Sequence, residues 1–418
     1  ELGCYGNPDA ITPNLDRFAS EGLRLTDCHA ASSVCSPARS SLLTGRTPFR
    51  NGVFTWIPSG SPIHLRTSEC ALPKLLNQAG YDTCHVGKWH LNGLFNSPEQ
   101  PQPSDHGYAW WLATQNNAAP SHAFPNNFVR NGKAVGKVND YSAPFIAQEA
   151  VSWLETKRDP TKPFFLAVWT HEPHYPIASA ERYQKLHAGI SDIEERTYRA
   201  NITQLDDAFG TVMKTLDNLG VSDSTLVFFT SDNGPVLNDG YYDDAVEKLG
   251  NHKPNGPLRG GKYSLLEAGT RVPFFIYWKG SIYPSVSDAM VCQMDLLASI
   301  GSLVGEEVKI TDSQNLIDVF MGKSNKGRKS LIIEANTKTA FRKGDWLMIP
   351  PYGGDSVLEE VNIELGNSDD YQLYNLKVDI SQKNNLAKSH AVLLKAMVKD
   401  FELIRGKEYK KVEKLELK

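Results

Sequence analysis

The chain has 418 residues, of which 40% are hydrophobic, 10% aromatic and 22% charged, enough apolar surface for a sizeable core and too much for wholesale disorder. Its 44 Lys and Arg against 48 Asp and Glu leave a net charge of −4, without the basic excess of a nucleic-acid binder. No apolar run approaches the roughly 18 residues of a membrane-crossing helix, and the polar opening Glu1-Leu2-Gly3-Cys4-Tyr5-Gly6 does not read as a signal peptide.

Taken along the chain, residues 70–79 carry a helical pattern and 81–86 a short strand. A helix is expected over 142–157 and a buried strand over 163–169. Ile202, Leu205, Phe209, Val212, Leu216 and Leu219 step by three and four, with Gly220 placed to close that helix. Strands follow at 225–230 and 271–278, then a helix at 292–304. The strand segments are apolar without alternation, as a strand covered on both faces requires. Strands alternating with helices predict an α/β fold, a large and mostly parallel sheet sandwiched by helices. The pattern weakens over 305–330. Short strands at 330–334, 340–342, 346–349 and 372–374 and a helix near 385–405 then predict a small antiparallel α+β subdomain. The expected division is 1–325 and 326–418.

The cysteines, at 4, 28, 35, 70, 84 and 292, include no Cys-x-x-Cys pair, which excludes zinc ribbons and thioredoxin-type motifs. They are too few for a disulfide scaffold; one or two bridges stay open beside the simpler reading of buried free thiols.

The most informative stretch is Cys35-Ser-Pro-Ala-Arg39-Ser-Ser-Leu-Leu-Thr-Gly45-Arg46. Pro37 suits a first helical position and Gly45 a helix end, so one short helix is expected. Cys35 then lies at its N-terminus, where free N–H groups and the dipole favour an anion. Arg39 stands one turn on, on the same face. Taken alone, Cys-x-x-x-Arg is a buried thiol and a surface cation on an ordinary helix.

Cys-x-Pro-x-Arg followed by Leu-Leu-Thr-Gly-Arg resembles the signature of the type I sulfatases of the alkaline phosphatase superfamily. Further landmarks resemble the family in order along nearly the whole chain: Gly87-Lys88-Trp89-His90, His171-Glu-Pro-His174, Ser231-Asp232-Asn233-Gly234, Arg259-Gly-Gly-Lys262, Glu267-Ala-Gly269-Thr-Arg271-Val-Pro273 and Phe341-Arg-Lys-Gly-Asp-Trp346. Leu373-Tyr374-Asn375-Leu376 with Asp379 and Asn385-Leu386 adds a C-terminal one. The stretch from Thr44 to Gly52 resembles galactosamine-6-sulfatase-like and bacterial polysaccharide sulfatases.

The resemblance implies that Cys35 is converted to formylglycine by a maturating enzyme. The conversion makes chemical sense. A thiol attacking sulfur would form a persistent thiosulfate, whereas an aldehyde hydrate attacks with one hydroxyl and expels sulfate by deprotonation of the other. By the same resemblance Arg39 holds the formylglycine, and Lys88 and Lys262 clamp sulfate oxygens. His174 protonates the departing alcohol, and His90 contacts the sulfate or the second hydroxyl. Arg259 joins Lys88 and Lys262 in substrate binding, and His171 divides evenly between substrate binding and packing. Asp232, Asn233 and the formylglycine at position 35 would ligate Ca²⁺, a hard cation suited to oxygen donors; Asp-Asn-Gly by itself is a simple turn. Family members carry a strand ending in Asp-Asp just before the equivalent of Leu2-Gly3-Cys4-Tyr5-Gly6, so two further Asp ligands are expected upstream of Glu1.

The implied activity is removal of sulfate from a sulfated oligo- or polysaccharide in a secreted, periplasmic or lysosome-like setting. Trp56, Trp110 and Trp111 are candidates for stacking on sugar rings, although any single Trp more often fills a core. The rival readings are a phosphonate or phosphate monoester hydrolase of the same superfamily and a catalytically silent, sulfated-glycan-binding relative.

Overall fold

The computed structural model describes residues 1–236 and 254–412; residues 237–253, and 413–418 at the end of the expected C-terminal unit, lie outside the described residues. The chain begins with helix α1 (Pro13–Glu21), strands β1 (Leu23–Leu25) and β2 (Cys28–His29), and helix α2 (Cys35–Thr44). After the short α3 (Pro48–Asn51) and α4 (Leu72–Gln78) come β3 (Asp82–Lys88), β4 (Trp110–Thr114), β5 (Val129–Arg130) and β6 (Lys133–Ala134). Then follow α5 (Ser142–Ser152), β7 (Phe164–Trp169), α6 (Glu181–Leu186), α7 (Ile193–Asn218), β8 (Val227–Thr230), β9 (Phe274–Tyr277), β10 (Ser285–Ser287) and β11 (Val291–Cys292).

These strands form a five-stranded sheet in the order β6-β5-β4-β3-β7 and a four-stranded sheet in the order β10-β1-β9-β8. β3 runs parallel to β4 and β7, and β1 parallel to β10, whereas β9 runs antiparallel to both β1 and β8. The expected α/β class holds, with sheets more mixed in direction than the apolar runs implied. Continuous apolarity reports burial on both faces and says nothing of strand direction. In β7, Phe164, Leu166 and Val168 pack with Ile146, Ile202 and Met213, while Phe165, Ala167 and Trp169 pack with Leu43, Leu91 and Trp111. Each face of the pleat meets its own core, so neither set of alternating residues can be polar.

The long helix starts earlier than its apolar period showed, because its first turn is charged; Asp192 caps it by accepting from the N–H groups of Glu194 and Glu195, each at 2.9 Å. Gly220 closes it with φ of 68°. The helix expected over 142–157 is α-helical to Ser152 and ends in one π turn, Trp153–Lys157. All six cysteines are free thiols.

The C-terminal strands β12 (Ser330–Ala335), β13 (Lys338–Lys343), β14 (Trp346–Ile349) and a last strand, Gln372–Asn375, form an antiparallel sheet. The helix Ala391–Arg405 covers one face through Met397 and Phe401. The other face shares a core with Ala31, Leu265, Leu266 and Met290. Glu334 of β12 accepts from Ser33 N–H at 2.9 Å, two residues before α2. Arg342 of β13 reaches further, pairing with both oxygens of Asp27 at 2.8 and 2.7 Å and with Glu267 at 2.8 Å. The C-terminal sheet is thus bolted to the segment that presents Cys35.

Candidate functional site

Residues from six separate segments meet at the N-terminus of α2. The helix begins at Cys35 itself, two residues ahead of Pro37, and ends at Gly45 with φ of 64°. Cys35 is buried, and His90 and His174 lie against its sulfur. Burial by itself would push this thiol up. The nearby Lys262 and Lys88, with the two histidines, overcome it and hold the thiol well below its ordinary value. The position therefore favours an anion, as a helix N-terminus does.

β3 delivers Lys88 and His90 from its C-terminal end, where an α/β sheet presents its site loops. Gly87 makes this possible: a Cβ there would stand 1.9 Å from the Trp169 carbonyl oxygen of β7. Lys88 is fully buried and donates to Asn117 Oδ1 at 3.1 Å. Its ammonium is brought down to about 8 by burial, with Arg39 and Lys262 adding to the effect and Cys35 and Asp232 opposing it. His90 has φ of 58°, a left-handed backbone uncommon for a residue with a Cβ and concentrated at functional sites. Its Nε2 lies 3.1 Å from the Ile57 carbonyl oxygen, so Nε2 bears the proton and Nδ1 the lone pair.

His174 follows β7. Its Nδ1 donates to the Tyr175 carbonyl oxygen at 2.8 Å, which leaves Nε2 as acceptor from Lys262 Nζ at 2.9 Å. Burial and then the adjacent lysines, Lys262 foremost, lower His174 to about 4; burial and Lys88 lower His90 to about 3. Both rings are neutral at rest. Lys262 is buried and precedes Tyr263, a second left-handed residue with φ of 71°.

Arg39 donates from Nε and Nη2 to Asp232 Oδ2 at 2.9 and 2.8 Å and from Nη1 to the Lys88 carbonyl at 3.0 Å, over the Trp169 ring. It is a strut between α2, β3 and the loop after β8. On that loop Asn233 Oδ1 is buried with no hydrogen-bond partner among the described residues, while its Nδ2 donates to Gly234 O. An orphaned carbonyl oxygen beside the Asp232 carboxylate fits a hard cation. Gly234 must be glycine, since a Cβ would lie 1.7 Å from Ala268 O.

Two expected substrate contacts are placed differently. Arg259 forms a bidentate pair with Glu364 at 2.6 and 3.0 Å and spends Nη1 on Gln382 O, so its guanidinium is committed to the C-terminal segment rather than to the Cys35 cluster. His171 is sealed in the core, with Nε2 bonded to Thr114 Oγ1 at 2.7 Å and Nδ1 to Ser142 Oγ at 2.6 Å. Both ring nitrogens are used, which is the packing alternative. Asp27, His29 and Glu267 cluster closely enough to suggest a metal site. Arg342 and Arg271 already neutralise those carboxylates, and this is an ion-pair network instead.

Two residues escaped sequence reasoning because no motif carries them. Asn117 faces Lys88 from 29 positions away. Gln293 donates its Nε2 to Thr230 Oγ1 at 2.7 Å and Ser231 O at 2.5 Å, bracing the base of the Asp232 loop; its buried Oε1 has no partner among the described residues. A cavity of about 1510 Å³ between β7 and β8 extends from apolar side chains such as Phe209 and Val212 to Arg39, Lys88, His174, Asp232 and Lys262.

Comparison with known proteins shows the family. The sequence profile of the Sulfatase family matches residues 1–306. An N-acetylgalactosamine-6-O-sulfatase of Bacteroides thetaiotaomicron is 32% identical, over 97% of this chain and 90% of that protein. The N-acetylgalactosamine-6-sulfatase of Mus musculus is 31% identical over 83% of this chain and 68% of its own length. A solved Bacteroides thetaiotaomicron structure from work on the metabolism of multiple glycosaminoglycans superposes with a TM-score of 0.87 at 29% identity, covering 97% of this chain and 96% of that one.

Proposed function

Because this chain belongs to the sulfatase family and is a sulfuric ester hydrolase of sulfated carbohydrate, we propose that Cys35, as formylglycine, is its nucleophile and that the ester sulfate sits among Lys88, Lys262, His90 and His174. The observation that carries this reading is the Cys35 environment: a buried position at a helix N-terminus, faced by two lysines and two neutral histidines. The Cys35 sulfur marks where the hydroxyls of the hydrated aldehyde would stand. That group supplies a nucleophile able to release sulfate by elimination.

The rest is work for the chain's own residues. Lys88 and Lys262 stabilise charge on the sulfate oxygens, and Arg39 fixes α2 against β3 and the Asp232 loop. His90 Nδ1 is available to accept a proton from the nucleophile. His174 carries the leaving-group proton on Nε2, the nitrogen toward which Lys262 already points an N–H. The negative charge of a bound ester makes that nitrogen more basic. Asp232 and Asn233 would hold Ca²⁺, whose charge favours ionisation of the nucleophile. Residues 1–325 would carry the chemistry, with 326–418 as the unit that clamps Arg259 and Asp27.

The substrate class is a 6-sulfated N-acetylgalactosamine unit of a glycosaminoglycan-like polymer, supported by the likeness to the Bacteroides and mouse enzymes. Such polymers place the enzyme in a secreted, periplasmic or lysosome-like setting, and a formylglycine-generating enzyme is the expected maturation partner. The test pairs two measurements. Peptide mass spectrometry of active protein should show the Cys35 peptide lightened and hydrazide-reactive, and an unmodified thiol in fully active protein would sink the mechanism. Release of sulfate from 6-sulfated N-acetylgalactosamine should exceed release of phosphate from an aryl phosphate; the opposite order would favour a phosphate or phosphonate monoester hydrolase.

A further inference from the structure

Seven of the eight tryptophans are tied into the fold. Trp89, Trp111, Trp153 and Trp346 pack against other rings, Trp169 lies under Arg39, and Trp110 and Trp278 donate indole N–H groups to Glu149 and the Asp223 carbonyl. Trp56 is the exception. It is 43% exposed, and among the described residues its indole has neither a ring contact nor a hydrogen bond. Tyr175 shares this condition at 47% exposure.

Their backbone placement is the opposite of free. Trp56 immediately precedes Ile57, whose N–H donates to Ser36 Oγ at 3.1 Å and whose carbonyl accepts from His90 Nε2 and Gln115 Nε2 at 3.1 and 3.0 Å. Thr55 on its other side bonds Asn336 Oδ1 at 2.9 Å. Tyr175 contributes the carbonyl that orients His174. The backbones that carry the two exposed aromatics therefore lie close to the Cys35 cluster, each no more than one peptide from the carbonyl that sets the tautomer of a site histidine. Leaving two large apolar rings wet on rigid backbone beside a buried anion site is a cost that a ligand with apolar faces removes.

We infer that Trp56 and Tyr175 form the aromatic rim that receives the carbohydrate, stacking on the apolar C–H faces of the pyranose that carries the sulfate and of its neighbour. The inference rests on the carbohydrate-sulfatase reading and adds to it the residues that read the sugar rather than the sulfate. Lys88 and Lys262 grip the anion, the two rings grip the ring carbons, and the two contributions are separable.

The test uses the full chain and two probes, a 6-sulfated N-acetylgalactosamine oligosaccharide as substrate and inorganic sulfate as competing product. Trp56→Ala and Tyr175→Ala should each raise KM for the oligosaccharide by about 3–10-fold, the worth of one aromatic contact. Trp56→Phe and Tyr175→Phe should stay near wild type, since a ring face and not a hydroxyl or N–H is required. The inhibition constant of inorganic sulfate should not move in any of the four. Alanine variants that leave KM within twofold, or that weaken inorganic sulfate in parallel, would overturn the rim. A wild-type chain that releases no sulfate from the oligosaccharide would instead overturn the underlying substrate reading, leaving a distinct signature.

Discussion

Lys262 Nζ stands 2.9 Å from His174 Nε2, while His174 Nδ1 is held by the Tyr175 carbonyl at 2.8 Å. One face of the imidazole is thereby fixed by backbone and the other faces the cation that would share the sulfate. This pair assigns different losses to the two residues. A sugar alcohol leaves poorly without a proton, and a general acid typically contributes about 10²–10⁴-fold; nitrophenolate leaves without help. His174→Ala should therefore cripple sulfate release from a sulfated sugar and slow nitrophenyl sulfate far less. Lys262→Ala removes charge stabilisation that both substrates need and should slow both comparably. Equal losses on the two substrates in His174→Ala would make that residue a sulfate ligand and move the acid elsewhere.

The same ring predicts a split between pH profiles. His174 lies near 4 in the free enzyme because burial, Lys262 and Lys88 disfavour its charged form. A bound sulfate ester offsets the lysines and moves the group upward. The alkaline fall of kcat on a sugar sulfate should thus begin at higher pH than that of kcat/KM, which reports the free enzyme. Coincident limbs would show that the ester leaves His174 unchanged.

Acid stability tests the buried histidines together. His85 and His90 sit near 3 and His106 near 4, each lowered first by desolvation, against about 6.5 when unfolded. Between these values the unfolded chain binds more protons than the folded one, so stability falls as pH drops from about 6.5 toward 4. Each fully titrating histidine contributes about 1.4 kcal/mol per pH unit. Urea unfolding at several pH values should show this slope, and His85→Phe, which keeps an aromatic ring against Trp89, Tyr108 and Trp169, should reduce it by about one proton. An unchanged slope would mean His85 is protonated in the fold.

Any calcium held at Asp232 and Asn233 should raise the melting temperature of the full chain by mass action. Asn233→Leu should abolish that increment and lower the calcium-free midpoint only by the loss of the Nδ2 bond to Gly234 O, because the orphaned Oδ1 has no partner among the described residues to lose. Gln293→Met keeps the volume but drops the two bonds that brace Thr230 and Ser231; it should weaken calcium several-fold without removing a ligand. A calcium increment that survives Asn233→Leu would place the cation elsewhere.

Much of this site was legible because its parts are short motifs at strand ends. Lys88, His90, His174 and Asp232 each follow an apolar run, and a parallel pair such as β3 and β7 brings such ends together. Direction was not legible in β9, since a strand buried on both faces looks the same whichever way it runs. Nor could a motif distinguish Lys262 from Arg259, three residues apart. The first turns toward His174 and the second toward Glu364, and only the C-terminal chain decides which. Gln293 and Asn117 lie beyond any local signal: Gln293 acts through two long-range hydrogen bonds and Asn117 through one.

The contact between the C-terminal sheet and the catalytic core offers the sharpest stability test. Arg342, in β13, is buried and forks onto Asp27, with Nη1 shared by Glu267. Burial pushes the Asp27 carboxyl up, but His29 foremost, then Arg342 and Arg271, hold it well below the usual carboxylate range. Removing one partner of such a pair strands buried charge and typically costs about 3–5 kcal/mol. Arg342→Met fills the volume without the charge and should lose that much in urea unfolding, with part of the loss recovered at low pH as Asp27 takes up a proton. Arg342→Lys keeps the charge but cannot fork, and should fall between the two. A loss below about 1 kcal/mol in Arg342→Met would show that Arg271 and His29 suffice for both carboxylates, and that Arg342 is not the bolt between the sheets.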